Sequence, residues 1–70
     1  MIEYDRRADA AYIRLAARSV PGGAVKQVVL DDLVAGGEVI FDLDADGRIY
    51  GIEILGASEC LRGDLLESLE

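Results

Sequence analysis

Hydrophobic and polar residues alternate in several short stretches of the chain, which is the pattern of β-strands that bury one face. Ile2 and Tyr4 alternate with charged residues, and the charged run at residues 5–9 predicts a turn. A β-branched run at residues 25–30 predicts another strand, bounded by breaks at residues 20–23 and 36–37 that are rich in glycine. The pattern therefore indicates short strands separated by tight turns.

Residues 38–44 and 48–55 predict a β-hairpin, because the Asp-Gly pair that precedes the second stretch is strong turn chemistry. A connection through residues 44–47 that pairs Leu43 with Arg48 would set Phe41 opposite Tyr50. A three-residue loop would set Phe41 against Gly51, and the two registers remain open. In the first register one face carries Val39, Phe41, Leu43, Tyr50, Ile52 and Ile54, which is a core face.

Residues 10–18 fit two elements equally well. Their alanines, with Asp9 as a candidate N-cap, favour a helix. The alternation of Ala11, Ile13 and Leu15 with polar or aromatic residues favours a strand. The pattern alone leaves both open.

The last part of the chain predicts a helical segment that covers the hairpin. Ser58 is a candidate N-cap, and Asp64 and Glu67 have the spacing of a capping box. Gly63 is where the segment would divide in two. The leucines expected to face the hairpin recur every four residues, at Leu61, Leu65 and Leu69, with Leu66 beside them.

The chain has 70 residues, which is one small domain over residues 1–70. At this size, burial and conformational entropy nearly cancel, so a second copy of the chain is an expected source of stability. Histidine is absent, which excludes imidazole catalysis, and we expect no cofactor. The single Cys60 cannot form an internal disulfide and is interpreted as a small buried hydrophobe.

The net charge of −7 is divided unevenly along the chain. Residues 1–27 carry +2 and residues 28–70 carry −9, an acidity that argues against nucleic acid as a ligand. Charged residues interrupt the amino terminus, so no signal peptide is predicted, and no apolar run approaches the roughly 20 residues of a membrane span. We expect a cytoplasmic protein of bacterial type with no membrane partner.

One stretch matches the calcium loop of an EF-hand, with Asp42, Asp44, Asp46 and Glu53 at the ligand positions and Gly47 at the sharp turn. However, its flanks predict strands, whereas an EF-hand loop lies between helices. On an extended strand Glu53 would lie roughly 20 Å from Asp46, too far to share a metal ion. We therefore interpret the stretch as an Asp-Gly hairpin and expect no metal.

A few polar and aromatic residues are candidates for an interaction site or a structural site. Glu53 shares a strand face with apolar neighbours, and a structural salt bridge or an interface contact is the simpler interpretation than an acid or base with a raised pKa. Asp5 and Asp9 are interpreted as turn and capping residues that bond their own backbone. The candidate positions are Asp5, Asp9, Tyr12, Tyr50 and Glu53.

The opening YDRRADAAYIRL and the later DLDADGRIYGIEILGASECL resemble the bacterial and archaeal family called domain of unknown function 2283. The resemblance implies a small α+β domain, an antiparallel β-meander of four to five short strands with a C-terminal helical segment, and so favours a strand at residues 10–16. It implies no catalytic residues. The matching residues are Tyr4, Asp5, Asp9, Tyr12, Ile13, Asp42, Gly47, Gly51, Ile52, Glu53, Ile54, Leu55, Ala57 and Ser58.

Three functions are compatible with these observations. We favour a small non-enzymatic interaction module that forms a homodimer through a sheet face or edge, with Ile40, Ile49 and Leu55 around Glu53 as the surface to be covered. An alternative is an antitoxin-like acidic partner of a small basic toxin, suggested by the −9 segment. The family resemblance points the same way, because it implies relatives that lie beside toxin-like genes. A second alternative is a small hydrolase or metal-binding protein that uses Asp42, Asp44 and Glu53.

Overall fold

A computed structural model describes residues 2–15 and 22–69 of the chain. Its described part has a five-stranded antiparallel sheet followed by two short helices, which confirms the predicted α+β meander. The elements are β1 (Ile2–Asp5), β2 (Ala10–Arg14), β3 (Lys26–Leu30), β4 (Glu38–Leu43), β5 (Ile49–Leu55), α1 (Ala57–Cys60) and α2 (Gly63–Leu69).

The strands lie in the order β1-β2-β5-β4-β3, and every neighbouring pair is antiparallel. Three pairs are consecutive in the chain, whereas β2 meets β5 across a long connection. β5 therefore lies in the middle, and β1 and β3 form the two edges.

The stretch after Asp9 is a strand rather than a helix. Ala10–Arg14 pairs with β1 on one side and with β5 on the other, and Ala11 is buried directly opposite Ile54. Backbone hydrogen bonds to two neighbouring strands and the burial of Ala11 stabilise the strand more than the helix propensity of alanine stabilises a helix. Residues 16–18 of this ambiguous stretch, and residues 20 and 21 of the predicted break at 20–23, lie outside the described residues.

The hairpin has the predicted three-residue loop, but its register beyond the turn is neither of the two predicted from the sequence. The loop has three residues, because the backbone N–H of Asp44 donates to the carbonyl of Arg48. A β-bulge then shifts the register, so that Leu43 faces Ile49 whereas Phe41 faces Ile52. Tyr50 is the extra residue of the bulge and has no partner in β4, whereas Leu43 continues the alternation of Val39 and Phe41 and pairs with Lys26 of β3.

Residues on alternate positions of the strands define two faces. The helix-side face carries the core, in which Ala11, Ile54 and Ala57 are buried. The residues packed around them are Ile2, Tyr4, Ile13, Val39, Ile52, Cys60, Leu61 and Leu66. The opposite side, which we call the open face, carries Tyr12, Ile40, Asp42, Gly51 and Glu53.

The helical segment divides at residues 61–62, and this break changes which leucines reach the core. The helix α1 begins after its N-cap Gly56, so Ser58 is a helical residue and the prediction that it is the N-cap is wrong. Leu61 and Leu66 pack on the core, whereas Leu65 is exposed, contrary to the stripe expected from a single helix. Neither described helix has the length and apolar character needed to span a bilayer.

Candidate functional site

Asp9 joins the first turn of the chain to the start of α1. One of its carboxylate oxygens accepts hydrogen bonds from the Tyr4 hydroxyl at 3.0 Å and from the Ser58 backbone N–H at 2.9 Å, and the other accepts from the Ser58 hydroxyl at 2.7 Å. The carbonyl of Asp9 also accepts from the N–H of Ala57 at 2.9 Å. Asp9 therefore satisfies N–H groups that a short helix leaves unpaired at its beginning.

This group of Tyr4, Asp9 and Ser58, the helix anchor, corrects the expectation that Asp9 bonds its own backbone. Asp5 does act in the expected local way, accepting from the N–H groups of Arg7 and Ala8 at 3.0 and 3.3 Å. The hydroxyl of Ser58, then its backbone N–H and the hydroxyl of Tyr4, hold the pKa of Asp9 below its ordinary value of 3.8.

A second group crosses the open face. Gly51 lies opposite Asp42, and the Tyr12 ring lies over the glycine, so close that a Cβ there would be 2.7 Å from the ring carbon that bears the hydroxyl. Asp42 is buried and accepts a hydrogen bond from the Gln27 side-chain amide at 2.9 Å. The residues Tyr12, Gly51, Asp42 and Gln27, which we call the cross-sheet group, thus span β2, β5, β4 and β3.

In the cross-sheet group, the carboxylate of Asp42 lies close enough to the Tyr12 phenol to affect its pKa. Burial raises the pKa of Tyr12 above its ordinary value of 10.0, and the negative charge of Asp42 raises it further. Arg14 acts in the opposite direction, and ionisation of Tyr50 would raise the Tyr12 pKa. Tyr12 is therefore a neutral hydrogen-bonding group at ordinary pH, and nothing in this arrangement prepares it as a base.

Glu53 lies between Tyr12 and Ile40 on the open face, at the margin of a shallow depression of about 220 Å³. The depression is lined by Glu3, Tyr4, Asp5, Ala10, Ala11, Tyr12 and Glu53. Carboxylates around an aromatic ring favour the binding of a cation. Here the cation is the guanidinium of Arg14 from the chain itself. Arg14 lies 5.7 Å from the centre of the Tyr12 ring and 3.5 Å from a carboxylate oxygen of Glu3.

The stretch that matched a calcium loop is the hairpin. Asp44 accepts hydrogen bonds from the N–H groups of Asp46 and Arg48 at 2.9 and 3.0 Å, which stabilises the turn. Asp42 is directed to Gln27 across the sheet, and Glu53 is on the next strand opposite Ile40. Within residues 2–15 and 22–69, no three carboxylate or thiol side chains come together as metal ligands would.

Four members of these two groups were not among the candidate site residues from the sequence, namely Tyr4, Gln27, Gly51 and Ser58. Gln27 is a polar residue in a β-branched strand, and its alternation with Val28 was the available signal. The role of Ser58 as a donor to Asp9 depends on a contact between residues 49 positions apart, which no local pattern reveals.

Replacing Gly51 with alanine should force the Tyr12 ring off β5, at a cost of about 1–2 kcal/mol of unfolding free energy. In a Tyr12→Ala background the same change meets no ring, and alanine should gain about 0.5–1 kcal/mol over glycine in the strand. Denaturant unfolding of all four proteins gives the coupling between the two positions. An equal cost of Gly51→Ala in both backgrounds would show that the ring does not need the glycine.

A family model described as a protein of unknown function (DUF2283) matches residues 1–58, which is most of the chain. Comparisons with curated proteins and with solved structures give no match. The matched region includes the helix anchor and the cross-sheet group. The chain therefore belongs to the family of proteins of unknown function DUF2283.

Proposed function

We propose that this domain is a non-enzymatic interaction module that works as a homodimer, with a second copy against the β3 end of its sheet. The observation that carries the proposal is the distribution of exposed apolar side chains. Three consecutive residues of β3, namely Val28, Val29 and Leu30, are 47%, 50% and 41% exposed. The other large hydrophobic residues that are exposed in the described part are Leu15, Val25, Val34, Ile49 and Leu65.

The helices cover only part of the helix-side face. Leu61 and Leu66 pack against the core around Ala11 and Ile54, and α2 contacts β1. Val28 and Leu30 lie at the other end of the same face, opposite Phe41 and Val39, and neither belongs to the core cluster. Apolar residues left exposed side by side are typical of a surface that associates.

The exposed area agrees with a missing partner. The chain exposes 5059 Å², whereas a compact monomer of 7.5 kDa exposes roughly 4,200 Å². In the described part only Ala11, Ile40, Ile54 and Ala57 are buried hydrophobic residues, which is a thin core for one chain.

The surface expected from the sequence is not the one the structure favours. Ile40, the centre of the predicted patch around Glu53, is only 9% exposed, so a second chain has little left to cover there. Ile49 is exposed, but Leu55 is partly buried. We therefore move the proposed interface from the open face to β3.

A non-enzymatic role is supported by the partners of the carboxylates. Asp9, Asp42 and Asp44 each accept hydrogen bonds from the chain's own donors, in a helix cap, a cross-strand bond and a turn. These roles account for the polar residues most prominent in the sequence without a substrate. They favour a structural interpretation of the site over the hydrolase or metal-binding alternatives.

Sedimentation equilibrium at micromolar concentration should give twice the chain mass of 7.5 kDa. Val28→Lys should weaken the dimer at least tenfold, about 1.4 kcal/mol, because it places a charge in the apolar interface. Leu65→Lys is the matched control, since Leu65 is also exposed but belongs to α2 at the other end of the sheet.

A folded wild-type protein that stays monomeric would contradict the proposal, and so would equal weakening by both lysine variants. Circular dichroism of each variant confirms that any dissociation is not unfolding. A monomer that binds a basic protein would favour the acidic-partner alternative instead.

A further inference from the structure

The two edges of the sheet differ in how they are protected against pairing. β1 has four residues, of which Glu3 and Asp5 are acidic, and α2 contacts it. Charged side chains and a covering element are the usual ways in which proteins block an edge strand. β3 has five exposed residues, three of them apolar, and its only charge is Lys26 at the beginning. Among residues 2–15 and 22–69, β3 is therefore the edge that is open to another strand.

We infer that the dimer forms by antiparallel pairing of β3 with β3 of a second copy, with Val29 opposite Val29 at the twofold axis. This inference rests on the proposed homodimer and specifies its geometry. The result is one continuous sheet of ten strands, in which the unpaired backbone groups of both edges bond each other.

Symmetry and the pleat of the strands leave few registers. A twofold axis that pairs the same edge of two identical sheets is perpendicular to the sheet, so each face of one copy continues into the same face of the other. Opposite residues in a ladder point to the same face, and one residue must therefore lie opposite itself. The three registers centred in the apolar part of the strand place Val28, Val29 or Leu30 on the axis. The Leu30 register sets Val28 and Val29 opposite Asp32 and Asp31 of the second copy, which leaves the registers of Val28 and Val29.

Charge distinguishes between these registers. Asp31 and Asp32 follow the strand and are exposed, while Lys26 is exposed at its start. With Val29 on the axis, Lys26 lies opposite Asp32 of the second copy and Gln27 lies opposite Asp31. With Val28 on the axis, Lys26 lies opposite Leu30 of the second copy and gains no opposite charge.

The Val29 register also matches the apolar residues. It places Val28 opposite Leu30 of the second copy, twice by symmetry, on the helix-side face. These are the two exposed residues at the uncovered end of that face. The same pairing therefore joins unlike charges at the ends of the ladder and apolar side chains at its centre.

Cysteine cross-linking tests this geometry in a Cys60→Ala background, which removes the native thiol. Opposite residues in a ladder have Cβ atoms about 4.5–5.5 Å apart, near the range that a disulfide spans. Val29→Cys should therefore cross-link into a covalent dimer under mild oxidation at least tenfold faster than Val28→Cys. Val34→Cys changes a fully exposed residue outside the strand, and its cross-linking rate is the rate expected from random collision.

Fastest cross-linking of Val28→Cys would overturn the register. Equal rates at Val28, Val29 and Val34 in a protein that sediments as a dimer would overturn edge pairing but leave the proposed function intact. A monomer in sedimentation, with cross-linking no faster than collision, would overturn both.

An exchange of charge gives an independent readout. Lys26→Glu should weaken the dimer about tenfold at low salt, since it places like charges opposite each other twice. Adding Asp32→Lys to the same chain should restore the affinity, because the pair is then reversed. Failure of the second change to rescue the first would contradict the pairing of these two residues.

Discussion

Replacing Gly37 with alanine is expected to lower the unfolding free energy by about 3 kcal/mol or more, from two costs that add. The backbone of Gly37 has φ +79°, a left-handed conformation that strains a residue with a Cβ. The Cβ would also lie 2.7 Å from the backbone carbonyl oxygen of Leu55, which cannot move without shifting β5. It would further meet the Cys60 sulfur at 3.1 Å.

Gly47 provides a matched control for the backbone conformation. Its φ of +80° is nearly the same, but nothing lies within 4 Å of the Cβ position. Gly47→Ala should therefore cost only the strain, about 1 kcal/mol. The difference between the two variants measures the close approach of the β3–β4 connection to the end of β5.

Thermal unfolding of the wild type and of both glycine variants measures these two costs. All proteins are compared at one concentration, because dimer formation would make Tm depend on concentration. For a domain of this size, 3 kcal/mol corresponds to a decrease in Tm of roughly 15 °C, and 1 kcal/mol to roughly 5 °C. A domain of 70 residues has a total stability of about 4–10 kcal/mol, so Gly37→Ala removes a large part of it. Equal costs at Gly37 and Gly47 would show that the connection can move away from β5.

The hairpin shows which parts of this fold are predictable from the sequence. Its strands were expected at residues 38–44 and 48–55 and lie at Glu38–Leu43 and Ile49–Leu55. This accuracy has a local cause, because Asp44 stabilises the turn through N–H groups only two and four residues away. Information of that kind is present in the sequence itself.

The register was not predictable, because two requirements compete there. The bonds of Asp44 set a three-residue loop, which on its own would put Phe41 opposite Gly51. Burial requires Phe41 and Ile52 to share the helix-side face. The bulge at Tyr50 satisfies both, since one extra residue restores the alternation after the loop.

The candidate site depended on contacts that are distant in the chain. The sequence identified Asp9, Tyr12, Asp42 and Glu53 as notable but did not indicate their partners. Tyr12 reaches across Gly51 only because β2 and β5 are neighbours, and this adjacency joins residues about 40 positions apart. The pattern at residues 10–18 left helix and strand open, and the family resemblance favoured a strand at residues 10–16, where the structure has β2 at Ala10–Arg14.

Removing the carboxylate of Asp9 should loosen the attachment of α1 to the turn between β1 and β2, and leave only the backbone bond from Ala57 to the Asp9 carbonyl. Asp9→Ala loses the bonds to Tyr4 and to both groups of Ser58, and it leaves unpaired an N–H group at the start of a helix of only four residues. It also places alanine at φ +51°. The expected decrease in Tm is roughly 5–10 °C.

Two further substitutions at Asp9 separate the hydrogen bonds from the backbone strain. Asp9→Gly removes the strain together with the bonds, and Asp9→Asn keeps one acceptor oxygen and tolerates the left-handed backbone. Thermal stability should therefore decrease from the wild type through Asn and Gly to Ala. Asp5→Ala, which affects only a local turn, is the control and should have a smaller effect than Asp9→Ala.

The pH dependence of these variants tests the charge of Asp9 itself. Because its pKa is lowered in the folded protein, its contribution to stability is present above the ordinary value of 3.8. That contribution decreases as the pH falls through the lower pKa of the folded state. The difference in Tm between the wild type and Asp9→Asn should therefore narrow on acidification from neutral pH to below 3.8. A difference that stays constant over this range would mean that the carboxylate charge does not stabilise α1, and that Asp9 acts there only as a neutral acceptor.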